Sequence, residues 1–377
     1  MLLKNVDIDV YRLDNTAFEG IGQVNEYTSL MWPDKYSGYT SFTLYAPVTL
    51  ENKNLLKKGN VIWCGRENAA VIEIIKSDTD ENGQKTYEIK GRTLEKILKD
   101  RIIWGTYNCT NKYSSTAMYE IVNKNCVNPA ESYRKIPFLE CAKDESFGKK
   151  ITFQKTGGEV YDTLTSIAID ADLGFDVLFK PKEKKLIFKV TQGVDRTTGS
   201  NLVIFSTDLE DILSSSYYTN NQDIKTLAYV AGEGEGTDRK HIISGNSSSS
   251  GFDRKELYID ARDLQSEILN DDGSTTIISN EDYQNLLDNR GNEKLAECVS
   301  IESFEAKMRV IGDIQYIYGV DYTKGDKVLV QDTDIGVQVV GRVTEISENF
   351  DDEYELIITF GYEYPTLIEK IKRQISK

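Results

Sequence analysis

Three sets of residues in this chain are spaced as if to bind or react. The first lies in Ala228–Asp263, AYVAGEGEGTDRKHIISGNSSSSGFDRKELYIDARD, where Gly232, Gly234 and Gly236 alternate with Glu233 and Glu235 behind a short β-like run. A glycine-rich turn before a helix is how nucleotide folds cradle phosphate. Here the spacing is not Gly-x-Gly-x-x-Gly, because Thr237 and Arg239 stand where the third glycine belongs. Glu233 and Glu235 would also repel a pyrophosphate, and no Gly-Lys-Ser/Thr follows. The segment predicts a structural loop whose glycines let a strand bend or bulge. The tract GNSSSSG at 245–251 beside it predicts a flexible loop tip.

The second set, Asp78-Thr79-Asp80-Glu81-Asn82-Gly83, matches the first half of a calcium-binding EF-hand loop. The closing bidentate glutamate is missing: Ile89 stands there, with Glu88 one residue early. Strand-like runs flank the segment, so it predicts a hairpin turn and no calcium site.

The third set is catalytic in type. His241 is the only histidine, and it opens a strand-like run with no serine or cysteine in a nucleophile-elbow setting. Histidine-based hydrolysis and zinc peptidase chemistry are disfavoured. Glycoside hydrolysis needs only two carboxylates at a set separation. Glu256, Asp260 and Asp263 are the most clustered pair-forming candidates, yet Arg254 and Arg262 beside them point to ion pairing. Trp32, Trp63 and Trp104, near Tyr27, Tyr36, Tyr39, Tyr45 and Tyr107, could form a sugar-binding face, although a core or subunit interface uses such residues more often. The sequence assigns no catalytic, cofactor-binding or metal-ligating residue.

The elements that must position these groups are legible in part. Residues 1–92 are strand-rich: Val6, Ile8 and Val10 alternate, as do Phe42, Leu44 and Ala46. Runs at Ala70–Lys76 and Lys85–Lys90 flank Asn82-Gly83 as a hairpin. Residues 93–190 read as an α+β unit. A helix with Thr93 as N-cap carries Leu94, Ile97, Leu98 and Ile102; a second spans about 115–125; a third, 159–172, stops near Gly174. A hairpin, Phe175–Lys180 and Lys185–Val190, follows. Residues 191–300 form a second α+β segment with an amphipathic stretch at 281–300, which Gly291 weakens enough to allow two shorter helices in its place. Residues 301–377 return to strands and end in a helix over Thr366–Lys377, whose basic residues suit a helix C-terminus. The fold class expected is α+β multidomain, with two small β-barrel or sandwich domains flanking α+β middle domains.

Composition sets the outer limits. A chain of 377 residues exceeds one ordinary core, and 39% hydrophobic with 10% aromatic residues is enough to fold. The net charge of −16 argues against a binder of phosphate backbones, which needs clustered Lys and Arg. Five cysteines without a Cys-x-x-Cys spacing read as reduced thiols. The alternating opening MLLKNVDIDVYRLD predicts a strand, not a signal peptide, and no run approaches the roughly 18 apolar residues of a membrane span.

Beyond these readings, the order of several short motifs resembles the siphophage and prophage tail proteins of the tail-hub type. The likeness lies in Met31-Trp32, Tyr36-Ser37-Gly38, Glu73, Lys90-Gly91-Arg92-Thr93-Leu94 and Arg101-Ile102-Ile103-Trp104. It continues in the Gly-Glu-Gly-Glu-Gly segment with Glu256–Asp263, then Ser303-Phe304-Glu305, Asp321–Val328 and Ile357–Gly361. The resemblance implies a structural protein, not an enzyme, that forms a homotrimeric ring at the virion tail tip after assembly in the bacterial cytoplasm. It implies two β-barrel domains per chain, so that three chains offer a pseudo-sixfold face to a sixfold tube. Its partners would be the distal tail protein, the tape-measure protein and tail fibre or receptor-binding proteins, with DNA passing through the channel without specific binding. Any hydrolase or fibre activity is expected on another polypeptide. The competing readings are a tail-associated glycan-degrading enzyme using paired carboxylates and a carbohydrate-binding module using the Trp/Tyr-rich first domain.

Overall fold

The structure is a computed structural model that describes residues 6–209, 211–269, 275–298, 301–309, 314–334 and 336–361. It is mostly β-sheet. The alternating runs fold as expected: Ile8 and Val10 in Ile8–Leu13, and Phe42, Leu44 and Ala46 in Ser41–Pro47, all point into one core with Leu30, Trp32 and Ile89. The EF-hand-like segment is the turn of the Ala70–Thr79/Lys85–Thr93 hairpin. Asp80 there accepts from the backbone N–H groups of Asn82 and Gln84 (2.9 and 2.7 Å), and Asp78 pairs with Lys76 (2.6 Å), so the acidic side chains serve the turn itself.

The strand-rich ends of the chain are joined in one sheet of thirteen strands. Val337–Phe350 is the connecting strand. Its first half pairs with Lys327–Asp332; its second half lies between Tyr354–Gly361 and Ser29–Lys35, in register from Glu345 opposite Lys35 to Phe350 opposite Leu30. Each side of that seam keeps its own apolar core. Phe350 belongs to the first, while Phe304, Val330, Ile346, Ile358 and Phe360 fill the second. Ile204–Ser206 and Ile212–Asn220 join the second side, pairing with Lys327–Asp332 and Ile301–Met308.

Between them sits an α+β core. Phe175, Val177 and Phe179 on Gly174–Lys180 and Phe188 on Lys185–Thr191 pack against Val160, Leu164 and Ala168 of the helix Val160–Ala171. The first sheet presents its back to this core: Phe18 stacks on Phe179 (5.1 Å) and Tyr11 meets it edge-on (5.0 Å).

Three local expectations change. The segment after Thr93 is a tight 3-10 turn, Leu94–Asp100, and not an α-helix; Ile102 lies beyond it and is 51% exposed. Thr93 does not cap it, because its hydroxyl oxygen accepts from the Thr40 N–H (3.1 Å) instead. The helix Val160–Ala171 ends on Asp172 in the left-handed conformation (φ 57°, ψ 43°), and Gly174 already begins the next strand. Asn280–Ala296 is one continuous helix. Gly291 does not break it, because the glycine lets the helix approach Ser244, whose Oγ would lie 2.3 Å from an added Cβ. That helix covers a three-stranded sheet, His241–Gly245, Leu227–Ala231 and Glu256–Asp260, over a core of Val230, Ile259, Tyr283 and Leu287. The expected helix at Thr366–Lys377 lies outside the described residues.

Candidate functional site: a buried charged joint

The first β core, the α+β core and the second β core meet at one point, and the meeting is made by charge. The turn before Lys327–Asp332 carries Lys324 into the interior. Its ammonium donates to Asp34, at the end of Ser29–Lys35 (2.6 Å), and to Asp176, on Gly174–Lys180 (2.5 Å). Burial opposes the charge on Lys324, but Asp176 and Asp34 outweigh it and hold the ammonium well above its ordinary pKa. Burial pushes Asp176 up to about 6 even though Lys324 pulls it down, with Asp34 adding to the rise. Glu95, on the Leu94–Asp100 turn, accepts from the Val177 N–H (2.9 Å). Burial, reinforced by Asp176, pushes it up to about 7.

A second layer surrounds this one. Asp172, the residue ending Val160–Ala171, receives Arg342 from the connecting strand and Lys327 (2.9 Å). Burial raises its pKa, and the two cations overcome that and bring it below the usual carboxylate range. Arg342 also donates to the Gly325 carbonyl and lies over the Tyr36 ring, 5.3 Å from its centroid. The Tyr36 hydroxyl accepts from the Gly193 N–H (3.0 Å) and donates to the Thr191 carbonyl (3.2 Å). Asp326, fully buried, accepts from the N–H groups of Val194 (2.9 Å) and Thr323 (3.0 Å) and from Arg196 (2.5 Å). Across the sheet seam, Arg66 grips Glu348 with two hydrogen bonds (3.0 and 2.5 Å), and the Tyr354 hydroxyl adds a third (3.0 Å).

The residues singled out for chemistry are elsewhere. Gly234 and Gly236 adopt positive φ in the loop after Leu227–Ala231. Glu233 turns inward to accept from the Ser266 N–H (3.0 Å) and hydroxyl (2.5 Å) and from Lys240 (2.8 Å). Arg239 ties the carbonyls of Ala231 and Gly232 (2.9 Å each) to Asp260 (2.5 Å). A depression of about 580 Å³ beside this loop is lined by Glu233, Glu235 and Glu267 with Arg262. The three candidate carboxylates are each held by different arginines: Asp260 by Arg262 and Arg239, Asp263 by Arg290 (2.9 Å), Glu256 by Arg254 (2.6 Å). His241 stands exposed at the start of its strand, stacked on Tyr229 (4.9 Å). Trp32 is buried and donates to Asn68 (3.2 Å), Trp63 donates to the Arg66 carbonyl (2.6 Å), and Trp104 is 51% exposed under the Arg134 guanidinium (4.4 Å). They form no common face. Among the described residues, no group of His, Cys, Asp or Glu is arranged to hold a metal, and no helix is long and apolar enough to cross a membrane.

Composition and periodicity did not single out the joint. One signal was available: in FDVLFK the strand is buried on both faces, so Asp176 is an acid in an otherwise apolar run and requires a buried cation. Tyr36 and Lys324-Gly325-Asp326 also belong to the segments that carry the family resemblance.

The joint ties the three cores of the chain to one another. The family model described as "Siphovirus ReqiPepy6 Gp37-like protein" matches residues 7–362, and the chain belongs to that siphovirus tail protein family. The fold is shared with solved prophage and bacterial tail proteins. The 43 kDa tail protein of prophage MuSo2 from Shewanella oneidensis superposes with a TM-score of 0.54 at 12% identity, over 94% of this chain and 98% of its own. The tail protein from Neisseria meningitidis MC58 gives 0.52 at 13% identity (94% and 97%). Prophage tail protein gp18 from Listeria monocytogenes EGD-e gives 0.52 at 11% (98% of each). No curated protein sequence matches the chain.

Proposed function

We propose that this protein is the hub at the distal end of a phage tail tube, where three copies close a ring around the DNA channel. The observation that carries this reading is the seam between Val337–Phe350 and Ser29–Lys35, which fixes two β cores side by side in each chain. Three such chains present six β units. Threefold symmetry is thereby converted into a pseudo-sixfold face able to seat on a sixfold tube. In this reading residues 1–92 and 301–377, with Ile204–Ser206 and Ile212–Asn220, supply the ring-forming units, and the rest of the α+β segments, 93–190 and 191–300, faces outward toward baseplate, fibre or receptor-binding partners. The distal tail protein and the tape-measure protein are the expected neighbours along the axis. With a net charge of −16, the channel face is expected to be acidic and to let DNA pass without adhering.

Solution mass tests the ring. A species of about 128 kDa, three times the 42.7 kDa chain, supports it, and a monomer that persists at high concentration with the distal tail protein present overturns it. A cell-wall zymogram tests the glycan-degrading alternative, for which the separately paired Glu256, Asp260 and Asp263 provide no shared site.

A further inference from the structure

The joint contains one buried carboxyl group that no cation reaches directly. Glu95 is 3% exposed, and among the described residues no lysine, arginine or histidine lies within ion-pairing distance of it. The basic residues on its own turn are engaged elsewhere: Lys96 faces Glu73 (3.2 Å) and Lys99 faces Glu159 (3.4 Å). Thr93 and the Val177 N–H donate to Glu95.

The groups facing Glu95 from neighbouring elements are Asp176 on the adjacent strand, Tyr161 on the helix Val160–Ala171, and Lys324, whose charge acts on Glu95 from beyond ion-pairing distance and opposes the rise without cancelling it. Behind these, Asp34 shares Lys324, while Glu67 and Tyr36 act on Asp176 and Tyr318 on Asp34. Lys324 thus supplies one positive charge against two carboxylates. Ionised Glu95 would be a third carboxylate, buried and sharing a cation already paired with the other two, which is a costly arrangement in a protein interior.

We propose that Glu95 is the proton-sensitive element of a latch: with its carboxyl protonated the three cores stay closed on Lys324, and its ionisation beside Asp176 loosens all three together. Burial raises the group from 4.5 to about 7, so the folded chain holds a proton that the unfolded chain releases. The resulting stability is fully present below pH 4.5 and is lost as pH rises through 7. The loosening therefore falls in the neutral range. It concerns the joint within one chain and does not depend on the ring.

Hydrogen exchange of the full-length protein between pH 6 and 8, corrected for intrinsic rates, tests the latch. The segments Met31–Tyr36, Leu173–Phe179 and Tyr322–Lys327 come from the three walls of the joint. They are expected to lose protection together, by about tenfold, the change a single proton with a value near 7 produces between pH 6 and 8. In Glu95→Gln, which keeps the acceptor for Val177 but cannot ionise, this dependence should shrink to about twofold or less, the part left by Asp176 at about 6. Unchanged protection in the wild type, an equal fall in the variant, or a response confined to Leu173–Phe179 overturns the proposal. If the variant does not fold, a carboxyl ¹³C titration of the wild type decides: a Glu95 midpoint near neutrality supports the latch, and one near 4.5 overturns it.

Discussion

Lys324 sets its ammonium 2.5 Å from the Asp176 carboxylate although 148 residues separate the two in the chain. The same nitrogen reaches Asp34, 290 residues away, at 2.6 Å. A single side chain thereby connects the first β core, the α+β core and the second β core. Such a buried group adds little net stability compared with an apolar replacement of the whole cluster, but removing one partner strands the others.

Lys324→Met is accordingly expected to destabilise the protein by about 3–5 kcal/mol, because Asp34 and Asp176 lose their cation. Adding Asp176→Asn should recover part of that loss. Urea denaturation of the single and double variants measures both, and a double variant no more stable than the single one contradicts the charge account.

The Arg66–Glu348 pair spans the sheet seam and has a partly buried guanidinium and a buried carboxylate. A double-mutant cycle with Arg66→Met and Glu348→Gln should give a coupling energy of about 1–3 kcal/mol. A coupling near zero would mean that the backbone ladder alone holds the seam.

Two glycines separate conformation from packing. Gly325 has φ +91°, and an added Cβ would lie 2.3 Å from the Tyr36 ring; Gly236 has φ +57° with open space around it. Gly325→Ala is expected to cost roughly 2–4 kcal/mol, from strain plus overpacking, and Gly236→Ala about 1–2 kcal/mol from strain alone. Thermal midpoints of the two variants should fall in that order.

The pH profile of stability should have two limbs of opposite cause. Hydrogen bonding to Arg262, then Arg239, holds Asp260 at about 2, below its ordinary 3.8. At Asp172 and Glu233 burial acts upward, but Arg342 with Lys327, and Lys240 with Ser266, bring each below its usual value. Stability from these depressed groups is present above about pH 4.5 and lost as pH falls through their folded values; Glu95, raised, loses its contribution as pH rises through about 7. A maximum near pH 4.5 is expected in thermal scans, with stability falling from there toward pH 7 as the raised carboxyls Asp176 and Glu95 lose their contribution. Glu95→Gln should flatten the neutral limb only, and Asp172→Asn should shallow the acid limb only.

Local pattern carried much of the structure. The alternation of Ile8 and Val10 and of Phe42, Leu44 and Ala46 determined which faces are buried, and Asn82-Gly83 determined a hairpin turn. Gly232–Gly236 folds as the loop its glycines predict, with Glu233 and Arg239 bonded to the loop and its neighbours. Where pattern misled, tertiary contact prevailed. Thr93 bonds to Thr40 and leaves the following turn uncapped, and Gly291 serves an approach to Ser244 and not a break.

By itself, then, the sequence determined the strands, the hairpins, most of the helices and the tail-protein family, because periodicity, turn chemistry and motif order are properties of neighbouring residues. Only the tertiary structure decided that the two ends of the chain share one sheet and that Lys324, Asp34, Asp176 and Glu95 form one joint. The pairing of Glu345 with Lys35 and the burial of a charge among partners hundreds of residues away depend on packing. A local pattern shows that an acid such as Asp176 must find a cation, but it carries no information about which one.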